Sequence, residues 1–546
     1  MSKTFRDLSN NVADTWWNDK SLRRNVLSAF VSYWGAFALG YDGSYLNGLQ
    51  SLTTWNEYFD HPSGNRLGLI SAMSYIPSLA LMPLYSLSCD YLGRRPTNLI
   101  GVTILVAGAL VGTFAKNEGM LIGGRSLVGI GGSLLTLSTN LLCNETLHPR
   151  LRSIGAAFFL VFYYTGAIVS AWTTFAVVNN GMDARGDEWA WRLPTLLQVV
   201  GPAIVFFGTL MIPESPRWLI SKGKKDQAHK ILADQHANGK MDDELVLYEM
   251  EEIENAIEME KREKQGFTSF LKTRGNRHRL LILATCATGS QGNGVAVFSY
   301  YLTPVLKLVG VTEATKQLGI NGGMQIWNLI LAATGASLVE KAGRRNVWLI
   351  GTAGMLVSYI CLTGLSGGFA NTNDESIGLA SVAFMFLCFG FYDMAWGGSF
   401  SLSWRSLARS DHFPHAQTPL AYSYTTEILP FSMRASGMAF FVWMQNATLC
   451  INQWVNPIAL EKAGWKYYFI FLAALVVFLV IIWFSFVETK GLSLEEVALL
   501  FDHNEATSLE GKKEAVDAHF KAGGKATEIR HLEDTGDNKS SDKLSV

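Results

Sequence analysis

The residue whose chemistry stands out first is Asp42, which lies inside an apolar run at about residues 26–48. A carboxylate near the centre of a membrane span costs about 2.5–3.5 kcal/mol on insertion scales, so it is expected to face a bundle interior and to have a partner. The available buried cation is Arg125, in the apolar run at about 120–142. An acid that loses and regains an arginine contact changes its proton affinity, because the cation favours the ionised form. The pair predicts a proton-exchanging site; the alternative is a permanent ion pair that holds two helices together.

The elements that must position these residues are apolar runs, each close to the roughly 20 residues that a helix needs to cross a bilayer. Twelve such runs lie at about residues 26–48, 67–89, 98–115, 120–142, 153–175, 195–212, 279–304, 318–339, 347–367, 378–396 with a continuation to 426, 435–456 and 466–487. The chain has 546 residues, of which 49% are hydrophobic and only 17% are charged. Soluble domains carry about 25% charged residues. An all-α membrane protein with 12 transmembrane helices is therefore expected.

A short charged loop occurs twice between apolar runs, at residues 90–95 and again, altered, at 340–345. Each copy has an acid, a glycine that permits a tight turn and two arginines. This duplication predicts two six-helix halves built on one plan. The expected domains are an N-terminal segment (1–25), the first half (26–212), a linker with surface helices (213–278), the second half (279–487) and a tail (488–546).

The arginines that flank the apolar runs predict the orientation of the chain in the membrane. Arg23, Arg94, Arg150, Arg344 and Arg434 all fall at one face, whereas the opposite loops contain few bases. By the positive-inside rule, both termini and the linker are cytoplasmic in a multi-pass protein. The six cysteines lack metal-site spacing, and the net charge of -1 gives no basic surface for nucleic acid, so neither a metal nor a nucleic-acid partner is expected.

Several motifs recur in order along both halves. They are Asp90-x-x-Gly93-Arg94-Arg95, Arg125 within 123–129, Glu145 with Arg152, Pro213-Glu214-Ser215-Pro216-Arg217, Glu340-x-x-Gly343-Arg344-Arg345, Glu427-Ile428-Leu429-Pro430 with Arg434, and Val487-Glu488-Thr489-Lys490-Gly491. With these motifs, residues about 26–500 resemble the sugar porters of the major facilitator superfamily, and their fungal branch of lactose permease-like and hexose transporter-like carriers in particular. The resemblance implies the major facilitator fold. It also supports the coupling pair, since proton-coupled porters place a first-span Asp opposite a fourth-span Arg, where facilitative relatives tend to have Asn.

Charged residues at the cytoplasmic helix ends are expected to form gating salt bridges that are made in one state and broken in another, for example between Glu145 and an arginine of the opposite half. The alternative is that they only pin helices together. The set comprises Asp90, Arg94, Arg95, Glu145, Arg152, Glu214, Arg217, Glu340, Arg344, Arg345, Glu427, Arg434 and Glu488.

The resemblance also suggests the substrate-binding residues, which are amides, phenols and one acid. They are Gln291, Asn293, Tyr300, Tyr301, Asn328, Asp393, Gln445 and Asn446. The chain departs from the pattern of hexose carriers, because Leu160, Ser290 and Ala296 stand where relatives have Gln, Gln and Asn. A sugar-type pocket with altered selectivity is therefore expected.

The tenth span is interrupted by the 21 residues 397–417, which include Arg405, Arg409 and His412. A segment with this many charged residues cannot lie in lipid. Removing the segment restores the family register between Asp393 and Glu427. We interpret 397–417 as an insertion from an unspliced intron or a gene-model error; the alternative is a genuine loop at the cavity mouth.

These features predict a secondary active transporter that imports a mono- or disaccharide with protons by alternating access. Alternatives are a facilitative uniporter, a carrier of a polyol, an organic acid or a secondary metabolite, and a non-transporting sugar sensor. No nucleophile–base pair points to an enzyme, and no cofactor is expected. A monomer in the lipid bilayer of the plasma membrane, with a sugar and a proton as ligands, is the expected form.

Overall fold

This computed structural model of the protein describes residues 8, 11–13, 15–262, 267–397, 420–489, 497 and 501, and within its helices it does not describe the side chains of 153–154, 156–157, 260–262, 333–341, 431–432 and 435. Within these ranges every regular element is a helix. The α-helices are α1 Lys20–Leu49, α2 Thr53–Tyr58, α3 Gly64–Ala72, α4 Ile76–Leu92, α5 Arg94–Thr113, α6 Glu118–Thr146, α7 Arg152–Asn179, α8 Trp189–Leu197, α9 Val200–Met211, α10 Pro216–Ser221, α11 Lys225–His236, α12 Glu244–Arg262, α13 Arg274–Gly292, α14 Val295–Leu308, α15 Ala314–Ala342, α16 Arg344–Thr372, α17 Glu375–Ala395, α18 Leu420–Ile428, α19 Phe431–Ala463 and α20 Tyr468–Ser485.

The helices are long and apolar, as a membrane bundle requires. Nine helical segments of the described chain meet the length and hydropathy needed to cross a bilayer, and one of them, Ser436–Ser485, covers most of α19 and all of α20. The predicted all-α membrane fold is confirmed. The count of twelve spans and the five domain boundaries stay predictions.

The ends of the helices follow from local sequence. The carboxylate of Asp19 accepts the backbone N–H groups of Ser21 and Leu22, so it caps α1. Gly93 and Gly343 have φ of 106° and 86°, values that residues with a side chain rarely adopt, and each separates two membrane helices at a copy of the repeated loop. The repeat read from the sequence therefore forms the same turn twice.

Where apolar helices face one another, their close packing depends on small residues. A Cβ on Gly40 of α1 would collide with the backbone carbonyl of Tyr163 on α7, and a Cβ on Gly166 of α7 would collide with the carbonyl of Phe37 on α1. This reciprocal contact brings α1 against α7, as small residues do in membrane bundles. It thereby sets the position of Asp42 on α1 relative to Tyr163 and its neighbours on α7.

The bundle has two ends, which we name by their contents. The linker face carries α10–α12 and the repeated loops, and the far face carries the end of α1 and the start of α3. At the far face the two halves are joined by hydrogen bonds, with Gln50 donating to the carbonyl of Tyr300 at 3.0 Å and the hydroxyls of Ser51 and Thr303 2.7 Å apart. Ser63 also donates to Glu461 at 2.7 Å. The far face is therefore closed by contacts between the halves.

The segment 397–417 lies, except for Gly397, outside the described residues. α17 ends at Ala395 and α18 begins at Leu420. The interpretation of this segment as an insertion stays a prediction.

Candidate functional site

Asp42 and Arg125 are in direct contact inside the first half. Nη1 of Arg125 lies 2.7 Å from Oδ1 of Asp42, and the two side chains are 4% and 17% exposed. Nη1 also donates to the hydroxyl of Tyr45 at 3.1 Å, and the guanidinium carbon lies 5.2 Å from the centre of the Tyr45 ring. The two charges thus compensate each other in an enclosed position, which is what a carboxylate within a membrane span requires.

A third group completes this site. Nε2 of the buried Gln198, in the short connection between α8 and α9, donates to the same Oδ1 of Asp42 at 2.7 Å. Sequence reasoning missed both Gln198 and Tyr45. Both could have been identified from the sequence. Tyr45 lies one turn after Asp42 on α1, and Gln198 is an amide within an otherwise apolar run.

The predicted residues of the seventh span surround the break between α13 and α14, where Gly294 has a φ of 95°. The buried Asn293 caps α14 by accepting the N–H of Val295 at 3.1 Å, and the buried Tyr301 donates to the carbonyl of Gln453 at 2.6 Å. Gln291 and Tyr300 keep accessible surface. A broken helix of this kind offers polar groups in mid-membrane, as in other transporters.

The remaining predicted residues of the second half occupy different settings. Asn328 on α15 is buried, and its Oδ1 has no hydrogen-bond partner among the described residues. Gln445 is engaged at both ends, since it donates to the hydroxyl of Ser290 at 3.1 Å and accepts from Tyr422 at 2.7 Å. Asn446 donates to the carbonyl of Val442 in its own helix at 2.8 Å.

Asp393 is a contact between the halves. The hydroxyl of Tyr164 on α7 donates to Oδ1 of the buried Asp393 on α17 at 3.2 Å. A Cβ built on Gly43, the residue after Asp42, would lie 3.4 Å from the hydroxyl of Tyr163, the neighbour of Tyr164. The two acids that sequence reasoning singled out thus border one region between the halves.

At the linker face, the predicted gating residues of the first half form one cluster. Arg94 donates from Nε and Nη2 to the two carboxylate oxygens of Glu145, both at 2.9 Å. Ser215 also donates to Glu145. Glu214 accepts the backbone N–H groups of Arg94 and Arg95 at 3.1 Å, which places a carboxylate at the start of α5, where the helix dipole favours it.

The second half repeats this arrangement. Glu488 accepts the backbone N–H groups of Arg344 and Arg345 at 2.9 and 3.1 Å, at the start of α16. Nη2 of Arg344 lies 3.4 Å from Glu427, which also accepts from Thr489 at 2.6 Å. The duplicated loop therefore brings with it a duplicated cap and a duplicated ion pair.

In this conformation Glu145 pairs within its own half, and its expected pairing with an arginine of the opposite half in another state stays a prediction. Its partner is Arg94, of its own half, because α5 and α6 place the guanidinium directly against the carboxylate in a bidentate contact. Arg344 and Glu427 likewise pair within the second half.

The other predicted gating residues are more peripheral. Asp90 lies 3.6 Å from Arg94 with its side chain 70% exposed, and Arg217 is exposed on α10. Arg152 lies 3.8 Å from Glu249 of α12, and Arg434 donates to the carbonyl of Leu429 at 3.4 Å. The side chain of Glu340 lies outside the described residues.

A buried polar junction fastens the linker to the first half, and sequence reasoning missed it. His236 at the end of α11 contacts Glu249 through Nδ1 at 2.6 Å and the carbonyl of Thr146 through Nε2 at 3.0 Å. Its ring centre lies 5.1 Å from that of His148. Burial lowers the pKa of His236, but Glu249 outweighs this and raises it above 6.5. Burial, helped by the neighbouring His236, lowers the pKa of His148 well below 6.5.

The chain is similar in sequence to known proteins. The family model described as sugar (and other) transporter matches residues 28–408 and 412–501. The MFS-type transporter oryC of Aspergillus oryzae is 27% identical over 76% of this chain and 73% of its own length. The high-affinity glucose transporter of Kluyveromyces lactis is 24% identical over 87% of this chain and 84% of its own length.

Among solved structures, an inward open conformation of the xylose transporter XylE from E. coli matches with a TM-score of 0.68 and 19% identity, over 86% of this chain and 98% of that one. This likeness confirms the major facilitator fold. Together with the match of the family model over most of the chain, it leads to one conclusion: the chain belongs to the sugar (and other) transporter family, and it is a membrane transporter.

Proposed function

We propose that this transporter imports a sugar together with protons by alternating access, with Asp42 as the proton-carrying group. The observation that carries the proposal is the enclosed contact of Asp42 with Arg125 and Gln198, both at 2.7 Å. Because Arg125 and Gln198 stabilise the ionised carboxylate, any movement that separates them from Asp42 favours its protonated form. Proton uptake is thereby linked to the conformation of the bundle.

The driving force comes from the membrane. A proton that moves inward with the sugar gains about 2.3 kcal/mol per 100 mV of membrane potential. In the conformation described, hydrogen bonds of Gln50, Ser51 and Thr303 join the halves at the far face, and we assign the access of solvent and sugar to the linker face. We assign the linker face and both termini to the cytoplasm, and the protein to the plasma membrane as a monomer.

The clusters around Glu145 and Glu427 are proposed to control gating from within each half. Each joins helix ends of one half through short contacts, so each half moves as a unit. Gln291, Tyr300 and Asn328, together with Asp393, are proposed to contact the sugar, because amides, phenols and an acid supply the donors and acceptors that hydroxyl groups need.

The test is sugar accumulation in proteoliposomes with an imposed pH gradient. Asp42→Asn is expected to abolish accumulation above the external concentration while equilibration continues, because the amide keeps hydrogen bonding but takes up no proton. The matched control is Asp60→Asn, at a 94% exposed acid of the far face whose left-handed backbone suits asparagine. Unchanged accumulation in Asp42→Asn would refute the coupling role and leave a facilitative uniporter.

A further inference from the structure

Four tyrosines occupy the region between the halves. Tyr75 and Tyr163 come from the first half, and Tyr300 and Tyr392 come from the second. The rings of Tyr75 and Tyr300 meet edge to face, with centres 6.4 Å apart. Tyr392 is adjacent to Asp393, to which the neighbour of Tyr163 on α7 donates a hydrogen bond at 3.2 Å. All four are partly exposed, so their rings offer surface to a ligand between the halves.

The amides of the same region are mostly engaged within the protein. Both ends of Gln445 are hydrogen-bonded, Asn446 bonds to its own helix, and Asn293 caps α14. Gln291 keeps accessible surface, and Asn328 has an unsatisfied Oδ1. Among the predicted amides, Gln291 and Asn328 are thus the two left for a ligand. Together with Asp393 and the Tyr300 hydroxyl, they offer a small number of donors and acceptors for a fully hydroxylated ligand.

The wall of α7 is apolar where it approaches the second half. Leu160 and Leu329 both pack against the cluster of Tyr164 and Ala332, so α7 presents a leucine and no amide at this point. An apolar wall beside aromatic faces favours a ligand with a flat apolar part. A ring that stacks on such a face gains binding free energy beyond that from its buried area.

We infer that the preferred substrates of this carrier are aryl glycosides, with the sugar ring held by Gln291 and Asn328 and the aromatic aglycone packed among Tyr75, Tyr163, Tyr300 and Tyr392. The inference rests on the proposed sugar transport and specifies its substrate class. A bare hexose would fill only the polar part of the space and would leave the aromatic part in contact with water.

The experiment compares phenyl β-D-glucoside with methyl β-D-glucoside, which share one sugar and differ only in the aglycone, in full-length protein in proteoliposomes with an imposed pH gradient. D-Glucose and phenyl α-D-glucoside complete the panel. The KM for phenyl β-D-glucoside is expected to be about tenfold lower than that for methyl β-D-glucoside, the gain that one or two well-placed ring contacts supply. Tyr163→Leu and Tyr300→Leu are expected to reduce this ratio toward one.

Further variants separate stacking from folding. Tyr300→Phe keeps the ring, so it should retain the ratio, and Leu160→Gln should shift selectivity toward D-glucose. Tyr91→Leu, at an exposed tyrosine of the linker face, is the control outside the chamber. A ratio near one in the unmodified protein, or a ratio that survives both Leu variants in monodisperse protein, would overturn the inference. If D-glucose accumulates and phenyl glycosides are excluded, the aryl preference fails and sugar transport stands; if no sugar or glycoside moves, both proposals fail.

Discussion

At the scale of single residues, the buried charges differ in how they are supported. Asp42 accepts from Arg125 and Gln198, and Glu145 accepts from two nitrogens of Arg94 and from Ser215. Each carboxylate has lost most of its water and depends on these donors. Removing one partner of a buried ion pair costs more than the pair contributes, because the other charge remains buried without compensation.

Arg94→Ala should therefore destabilise the first half strongly. The side chains of Arg94 and Glu145 are 10% and 11% exposed, and loss of one member of such a pair costs about 3–5 kcal/mol. Thermal unfolding in detergent is the measurement, with the double variant Arg94→Ala/Glu145→Ala expected to recover part of the loss. The exposed pair of Arg66 with Glu118 is the comparison, and Arg66→Ala should leave the melting temperature nearly unchanged. Equal losses at both sites would contradict this account.

Asp42 and Arg125 could be found from sequence because an isolated charge in an apolar run demands a partner. Tyr163 and Tyr164 could not, because aromatic residues are common in membrane helices and only the helix packing shows which of them meet. The partner that Glu145 has in this conformation could not be found from sequence for a related reason. The sequence identifies the charged residues but not the approach of α5 to α6.

At the scale of elements, the linker helices are attached to the bundle by a histidine pair. The groups that face His236 are Glu249 of α12, His148 after α6 and Arg152 of α7. Asn25 of α1 bonds to the same carbonyl of Thr146 at 2.6 Å. The junction therefore ties α11 and α12 to three membrane helices of the first half.

This junction should give stability a maximum in pH. The pKa of His236 is raised in the folded state, so its contribution is complete below pH 6.5 and is lost as pH rises through the folded pKa. The pKa of His148 is lowered, so the unfolded state binds its proton more readily and stability falls as pH drops below 6.5. Thermal unfolding between pH 5 and 9 checks both limbs. Glu249→Gln should flatten the alkaline limb, and His148→Asn should flatten the acid limb; unaltered limbs in these variants would assign the pH dependence to other groups.

At the scale of the whole molecule, alternating access requires the far-face contacts between the halves to break in each cycle. The hydroxyls of Ser51 and Thr303 are 2.7 Å apart across the halves. In the double variant Ser51→Cys/Thr303→Cys, oxidation should stop uptake and a reductant should restore it. Ser51→Cys alone, under the same oxidant, controls for the six native cysteines. Full uptake by the cross-linked protein would show that the far face does not need to open.

The fold could be predicted from sequence because the bilayer restricts the chain to apolar helices, and the repeated loops reveal the two halves. The conformation could not, because both states of a two-state bundle satisfy the same hydropathy pattern. Neither could the proposed substrate site, whose lining depends on which faces of α7, α14 and α17 meet between the halves.

The central claim, that sugar entry carries protons, is tested most directly by the pH inside proteoliposomes. A transported sugar, D-glucose or phenyl β-D-glucoside, is added outside vesicles that contain a pH-sensitive dye and have no initial gradient. The account predicts that the interior acidifies in step with sugar entry in the unmodified protein and not in Asp42→Asn. Sugar entry with no change in interior pH would contradict it.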